Sequence, residues 1–396
     1  MRKVLGKFAR NLFQKNIFFF LIVFSCFALN NSVAAQDANA TSKLRISILT
    51  CDAGDDIYTI WGHTAVRVID SIGNTDYVFN YGTFDFETPN FLAKFLKGDL
   101  KYFISANDYA DFYKEYKANG RAVHEQVLNL TAAKKEAWYE SLKINLRGEN
   151  KYYLYNFITD NCTTRIKDGL FRHAPINGYS ISINSYREEV VSATYKGGLG
   201  WIGLGIDLLL GATSDKTPSL NQEAFLPALL YKKIELNPKL ILARNEIIPV
   251  GKPVEKGINP VTYLILFFLI YLFVSNWNAL ATQRIARVLD VLLLFVFGIA
   301  GIMVFYMSNF SLHTACQENY NIIWLHPLYL LTIPIYFISK KWTGYLGYVF
   351  FTATALLMFA SHWVPQHFSK AVIALMVIAL CLQIRLIKRG RLAKYK

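Results

Sequence analysis

The chain of 396 residues has five cysteines, no CxxC pair and no cluster of cysteine with histidine. A zinc site at the usual ligand spacing is therefore excluded, and no metal or other cofactor is expected. There is no internal repeat and no low-complexity segment, which rules out solenoids and sticky polar tracts. Acidic residues are scarce, 28 against 42 basic ones, for a net charge of +14. Such a surplus often marks a nucleic-acid binder. Here the basic residues concentrate at the N-terminus, in a few short connections and in the C-terminal tail. That leaves no patch for a nucleic-acid partner.

What the chain has in plenty is apolar sequence, and it is unevenly spread. Residues 1–35 read as an export signal. Arg2, Lys3, Lys7, Arg10 and Lys15 precede the apolar run 17–27, and Val33-Ala34-Ala35 fits a cleavage site. Two alternatives stay open: an uncleaved anchor, or a degenerate lipobox with Cys26 as the lipidated residue. Residues 36–258 are of mixed polarity and read as an extracytoplasmic domain. Residues 259–396 hold five candidate transmembrane helices, at about 260–276, 288–307, 322–338, 344–361 and 371–387, each close to the ~20 residues that cross a bilayer core. Trp277, Trp324 and Tyr345 are expected at the interfaces.

Charge sets the orientation. One set of connections carries Arg284 and Arg287, then Lys340 and Lys341, then a tail from Arg385 to Lys396. The other set, 308–321 and 362–370, has only Lys370 among its Lys and Arg residues. The positive-inside rule places the first set and the C-terminus in the cytoplasm, and 36–258 outside an inner, multi-pass membrane protein. The basic surplus is then mostly a topology signal, with contact to anionic lipid.

Within 36–258 the pattern is α+β. Residues 44–50, 63–70, 77–82 and 121–130 read as strands, with a turn at Gly73-Asn74 closing a hairpin. Residues 89–97, 107–119 and 132–146 read as helices, the last capped by Thr131. Residues 171–200 read as loops with short elements.

The chemistry points to "YNFITDNCTTRIKDGL", 155–170. Asp160 reads as an N-cap, so Cys162 falls in the first helical turn, where free amides and the helix dipole favour a thiolate. A structural cysteine has no need of that place. The partner is His63 in "WGHTAVRV", opening a strand after Gly62. A Cys–His pair needs a third group on the far ring nitrogen. Asn80, on the neighbouring hairpin strand, is placed for it, with Tyr81, Asp70 and Asp160 as weaker alternatives. Cys51 is a rival nucleophile without a helix start, and a Cys51–Cys162 disulfide is the plain structural alternative.

"LTCDAGDDIYTIWGHTAVRV", "FNYGTFDF", "YNFITDNCTTRIKDGL", "GLGIDLLLGA…EAFLPALL" and "SLHTACQENYNIIWLHPL" together resemble the Lnb family, bacterial lipoprotein N-acyltransferases with an exported domain and a helical membrane domain. The order of histidine and cysteine is also similar to permuted papain-like enzymes such as lecithin–retinol acyltransferase. The resemblance implies catalytic roles for His63 and Cys162, and a permuted papain-like thiol domain followed by an all-α five-helix membrane domain. It implies acyl transfer from a membrane phospholipid, through a Cys162 thioester, to the α-amine of the diacylglyceryl-cysteine of a lipoprotein. Asn80 is not fixed by any family motif.

Other residues are assigned on that reading. The Cys162 amide and Asn161 would meet the oxyanion. Arg165 and Lys167 would hold phosphate, or form a solvated helix face. Residues 201–210 would be a membrane-facing lid, or a core segment. Ser311, His313, Asn319 and Asn321 would sit at an outer mouth and share one apolar-walled cavity with Cys162, positioning headgroup or amine, or would be plain interfacial solvation. His326-Pro327 would line the same cavity. Two other classes remain: a membrane-tethered papain-like peptidase or amidase acting on cell-wall peptides, and a non-enzymatic scaffold.

Overall fold

The computed structural model describes residues 43–174, 178–250, 257, 259–277 and 279–391. The export segment with Cys26 and the end of the basic tail, Lys394 and Lys396, lie outside the described residues. Seven strands form one antiparallel sheet: β1 (Leu44–Cys51), β2 (His63–Asp70), β3 (Thr75–Thr83), β4 (Lys101–Asp108), β5 (Val123–Leu128), β6 (Tyr152–Leu154) and β7 (Ile241–Ile248), in the order β6-β4-β3-β2-β1-β5-β7. The expected hairpin is β2–β3. Its turn holds Asn74 at φ 49, and the Asp70 side chain accepts bonds from the Ile72 and Gly73 amides.

Seven helices accompany the sheet: α1 (Phe91–Lys97), α2 (Tyr109–Ala118), α3 (Ala132–Asn145), α4 (Cys162–His173), α5 (Tyr186–Lys196), α6 (Gly200–Leu209) and α7 (Pro227–Glu235). One face of the sheet packs Ile46, Ile48, Val66 and Phe79 against Trp138 of α3, Ile166 and Leu170 of α4, and Leu230 of α7. The other face packs Leu49, Cys51 and Val78 against Phe112 and Tyr116 of α2. Each fully buried aliphatic or aromatic side chain contributes about 1.5–3 kcal/mol. Residues 171–200, expected as loops with short elements, contain the whole of the 11-residue α5, opened by Ser185 accepting a bond from the Glu188 amide. Thr131 stands at the start of α3 without making a side-chain cap.

The second domain is helical: α8 (Pro260–Asn276), α9 (Leu280–Asn309), α10 (Tyr329–Ile338), α11 (Lys340–Ala360) and α12 (Lys370–Arg391). Three of these, α9, α11 and α12, are long and apolar enough to cross a membrane, while α8 and α10 are shorter apolar helices. The stretch expected as a span over 322–338 begins in a short 3-10 turn (Tyr320–Ile323), is α-helical only from Tyr329 and has Pro334 inside that helix. Ten residues rise about 15 Å, half of a hydrocarbon core. Small residues let helices touch, as is usual in membranes. A Cβ on Gly344 of α11 would lie 2.7 Å from Gly390 Cα of α12. Trp324, expected at an interface, is fully buried, because Asn321 Oδ1 accepts its indole N–H at 2.9 Å.

A candidate Cys–His site beside the membrane domain

Gly62 makes the first piece of the site. It sits at φ +81, and a Cβ there would come 2.4 Å from Cys51 O, so only glycine lets the chain turn into β2 here. Trp61 is pinned by its indole N–H to Thr194 Oγ1 at 3.0 Å, and His63 follows as the first residue of β2. Ala65 pairs with Asn80 across β2–β3, which puts His63 and Asn80 on the same face as diagonal neighbours. His63 Nε2 and Asn80 Oδ1 are 3.1 Å apart. The Asn80 amide is oriented from behind, since its Nδ2 donates to Asn107 Oδ1 and to Val78 O, each at 3.3 Å. With Oδ1 facing the ring, Nε2 carries the proton, and Nδ1 is left to accept one from a thiol.

That thiol is Cys162, the first residue of α4. The N-cap is Asn161, not Asp160 as the sequence suggested. Asn161 Oδ1 accepts from the Thr164 amide at 2.9 Å, and Thr164 Oγ1 accepts from the Asn161 amide at 2.8 Å, a reciprocal capping box. α4 is held against β2 by Thr163 Oγ1, 3.0 Å from Thr64 Oγ1. Gly82 brings β3 close, since a Cβ there would lie 3.5 Å from Cys162 Cβ. Cys162 is half-buried, its sulfur 3.8 Å from Thr163 Oγ1, and it is electrostatically coupled to His63. Burial pushes its thiol pKa up, but the His63 charge, the His63 hydrogen bond and the Thr64 backbone amide outweigh it, so the net shift is downward from 9.0. Burial likewise pushes His63 down, and the Cys162 charge with the Cys162 and Asn80 hydrogen bonds lift it above 6.5. The two shifts are mutual, each group favouring the charged form of the other.

The rivals are elsewhere. Cys51 and Cys162 are both free thiols, so the disulfide alternative is not realised. Cys51 is fully buried in β1, and burial pushes it up to about 12, which removes it as a nucleophile at neutral pH. Among the alternatives to Asn80, Asp70 closes the far end of the hairpin, Tyr81 accepts a bond from Asn145 at 2.7 Å, and Asp160 grips Arg165.

Several expected binding residues are engaged internally. Both Asn161 Nδ2 hydrogens go to carbonyls, Phe157 O at 2.8 Å and Phe225 O at 3.0 Å, so its side chain has no donor left for an oxyanion. Arg165 is bidentate on Asp160, at 2.6 and 2.8 Å, and lies over the Tyr153 ring. Lys167 is buried and donates to Asn221 O. Residues 201–210 form most of α6, whose Leu204 joins the core of the helical domain, the core alternative rather than a lid.

The cleft beside His63 and Asn80 has a volume of about 660 Å³. Its walls include Tyr58, Phe84 and Arg121, with the acids Asp55, Asp111 and Glu115. None of Ser311, His313, Asn319 and Asn321 lines it, and neither does Cys162. These four fasten the two domains together instead. His313 Nε2 meets Phe95 O at 2.8 Å, and Ser311 Oγ donates to Leu96 O. Asn319 and Asn321 donate to Leu208 O, capping the last turn of α6. Carbonyls at helix ends need donors, and this loop supplies them. His313 is separated from the His63 turn by ring contacts, from itself to Phe157 and from Phe157 to Trp61. His326 spends Nδ1 on the Leu328 amide. No group of metal-ligating side chains occurs among the described residues. Sequence reasoning missed Asn107 and Arg121, which carry no local motif.

The profile of the Lnb N-terminal periplasmic domain matches residues 31–187, and that of the Lnb transmembrane domain matches 252–396. The chain belongs to the Lnb family. The first match contains the whole Cys–His constellation and the second all five helices of the membrane domain. Comparison with curated proteins and with solved structures returned no match. Family membership makes this a membrane protein with a periplasmic domain, and points to a membrane acyltransferase.

Proposed function

We propose that this chain transfers an acyl group from a membrane phospholipid to the α-amine of a lipoprotein's diacylglyceryl-cysteine. The carrying observation is the Cys162–His63–Asn80 constellation in a chain of the Lnb family. Cys162 sulfur attacks the ester carbonyl, and the C–O bond to the glycerol breaks. His63, carrying the thiol proton, gives it to the departing lysophospholipid. The lipoprotein amine then attacks the thioester, its proton passes to His63 and back to the thiolate, and free Cys162 is restored. This is a ping-pong cycle. Amines attack thioesters more readily than oxygen esters, which suits a cysteine nucleophile. The amide of Cys162, at a helix position with no intrahelical acceptor, is available for the oxyanion.

The order of elements, a histidine on a strand and a cysteine opening a helix after it, fits a permuted papain-like arrangement. The orientation with the basic connections and C-terminus in the cytoplasm belongs to this reading, as does cleavage of the export signal. Both substrates are lipids of the outer surface, which a membrane-anchored enzyme meets in two dimensions. The test is mass spectrometry of lipoprotein N-termini from cells carrying the wild-type chain or Cys162→Ser. The serine variant should fold and insert but leave lipoproteins diacylated. Near wild-type triacylation by Cys162→Ser would refute the assignment. The peptidase reading would be supported instead if the chain cleaved soluble cell-wall peptides and left lipoprotein N-termini untouched.

A further inference from the structure

One face of the N-terminal domain is apolar without being covered. Ile57 is 68% exposed, Phe86 63% and Leu92 66%, with Tyr58 and Phe95 beside them. These are neighbours rather than scattered residues. Tyr58 contacts the Phe84 and Phe86 rings, Phe86 contacts Phe91, and Phe91 stacks on Phe95 one turn along α1. A contiguous exposed patch of this kind marks an interaction surface.

Its position says what covers it. α1 rests on the end of the long helix α9. The Leu312 amide donates to Lys97 O at 2.7 Å, Ser311 Oγ to Leu96 O at 2.8 Å, and His313 closes on Phe95 O. The helix α9, of 30 residues, is one of the three long and apolar enough to span a membrane. Phe305 near its end and Phe310 and Leu312 just after it are apolar and exposed, with Phe310 at 61%. The patch on α1 therefore lies at the level where that span leaves the hydrocarbon. Lys94 stands in the last turn of α1 and Lys101 follows it, placed for lipid phosphates, while Lys97 is paired with Asp99 at 2.6 Å.

The geometry points to α1, Phe86 and the 57–58 turn as a surface that dips into the outer leaflet and takes up a phospholipid acyl chain. The inner end of the same aromatic cluster, Tyr58 and Phe84, is wall of the cleft that holds His63 and Asn80. An acyl chain lying on Phe86 and Phe91 would thus run from the bilayer to the cleft at His63, the partner of Cys162. Contact with the bilayer stands on the docking of α1 onto residues 311–313, just beyond the end of α9. The delivery of the chain to Cys162 rests on the acyl-transfer reading above.

The test uses the full chain reconstituted in lipoprotein-free vesicles of phosphatidylethanolamine. A photo-crosslinking amino acid is placed at position 92 or, as control, at position 72. Ile72 is also exposed, but it lies in the turn at the other end of the hairpin, about 25 Å of strand from His63. Lipid adducts are expected at 92 and not at 72. Equal labelling of the two positions overturns the bilayer contact, whatever reaction the chain performs. The triple variant Ile57→Ser/Phe86→Ser/Leu92→Ser should load Cys162 from vesicle phospholipid about tenfold more slowly, while loading from a water-soluble short-chain thioester is unchanged. An unchanged vesicle rate, or an equal fall with both donors, overturns the acyl route. A wild-type chain that loads Cys162 from neither donor overturns the route together with the acyl-transfer reading, and the labelling still decides the contact.

Discussion

At the scale of single residues, the proposed reaction depends on where the candidate site holds its protons. Asn80 holds the His63 proton on Nε2 and helps lift the imidazole above its ordinary value. Removing it as Asn80→Ala should lose the net worth of a hydrogen bond to a charged group, about 1.5–3 kcal/mol, or about 10–100-fold in kcat/KM. The pH profile separates this from general damage. The reactive form needs Cys162 deprotonated and His63 protonated. Its acid limb therefore follows Cys162, held below 9.0, and its basic limb follows His63, raised above 6.5. Asn80→Ala should move the basic limb to lower pH. An unmoved basic limb would leave Asn80 a merely structural residue. The thiol and the imidazole were legible in sequence because each carries a local signal: a helix start for one, a glycine-led strand for the other. The cap was misread by one residue, because Asp160 and Asn161 are equally good cap residues, and the capping box with Thr164 and the salt bridge of Asp160 to Arg165 decide between them.

At the scale of elements, strands with an alternating face were readable and strands defined by their partners were not. The β2–β3 hairpin announces itself through Gly73-Asn74. The sheet's outer strands do not. β6 has three residues, and β7 is largely exposed and paired only with β5. Asp108 ends β4 and Tyr109 begins α2, so a helical reading from 107 ran across the junction and hid Asn107. Membrane helices showed their apolar cores but not their internal ties. Asp290 in α9 receives Arg385 of α12 at 2.6 and 2.9 Å, Tyr271 of α8 at 2.7 Å and Tyr336 of α10 at 3.1 Å. One carboxylate thus joins four helices in a setting where unpaired charge is costly. Asp290→Asn should destabilise the protein by about 3–5 kcal/mol, because it strands the Arg385 charge. Adding Arg385→Gln should recover part of that loss. Thermal unfolding in detergent measures both, and a double variant worse than Asp290→Asn would show that the pair is not the source.

At the scale of the molecule, the two domains are joined less by the linker than by a fitted surface. Besides the bonds from 311–313 to α1, the Gly211 amide donates to Ala315 O at 2.8 Å, the Ala212 amide to Glu318 O, and Thr213 Oγ1 to Thr314 O. The approach is so close that a Cβ on Gly211 would sit 1.8 Å from Gln317 O. α6 is reinforced from inside its own domain, where Arg187 bonds Asp207, the carbonyls of Leu210 and Gly211, and Asp215. The apolar side of α6 has its Leu204 in the helical domain's core. A domain that lends a helix to its neighbour's core cannot leave it without exposing that helix to water. A protease site introduced within 251–256 should therefore cut the chain without separating it. The halves should co-purify in detergent and retain acyl transfer, with only the effective concentration supplied by the linker lost. The N-terminal half expressed alone should aggregate or require detergent. Gly211→Ala in the cleaved protein should release the halves, since the added methyl has no space to occupy. If the N-terminal half instead proves monomeric, soluble and active on vesicle phospholipid by itself, then the docking surface is dispensable, and α6 does not depend on the membrane domain for its cover.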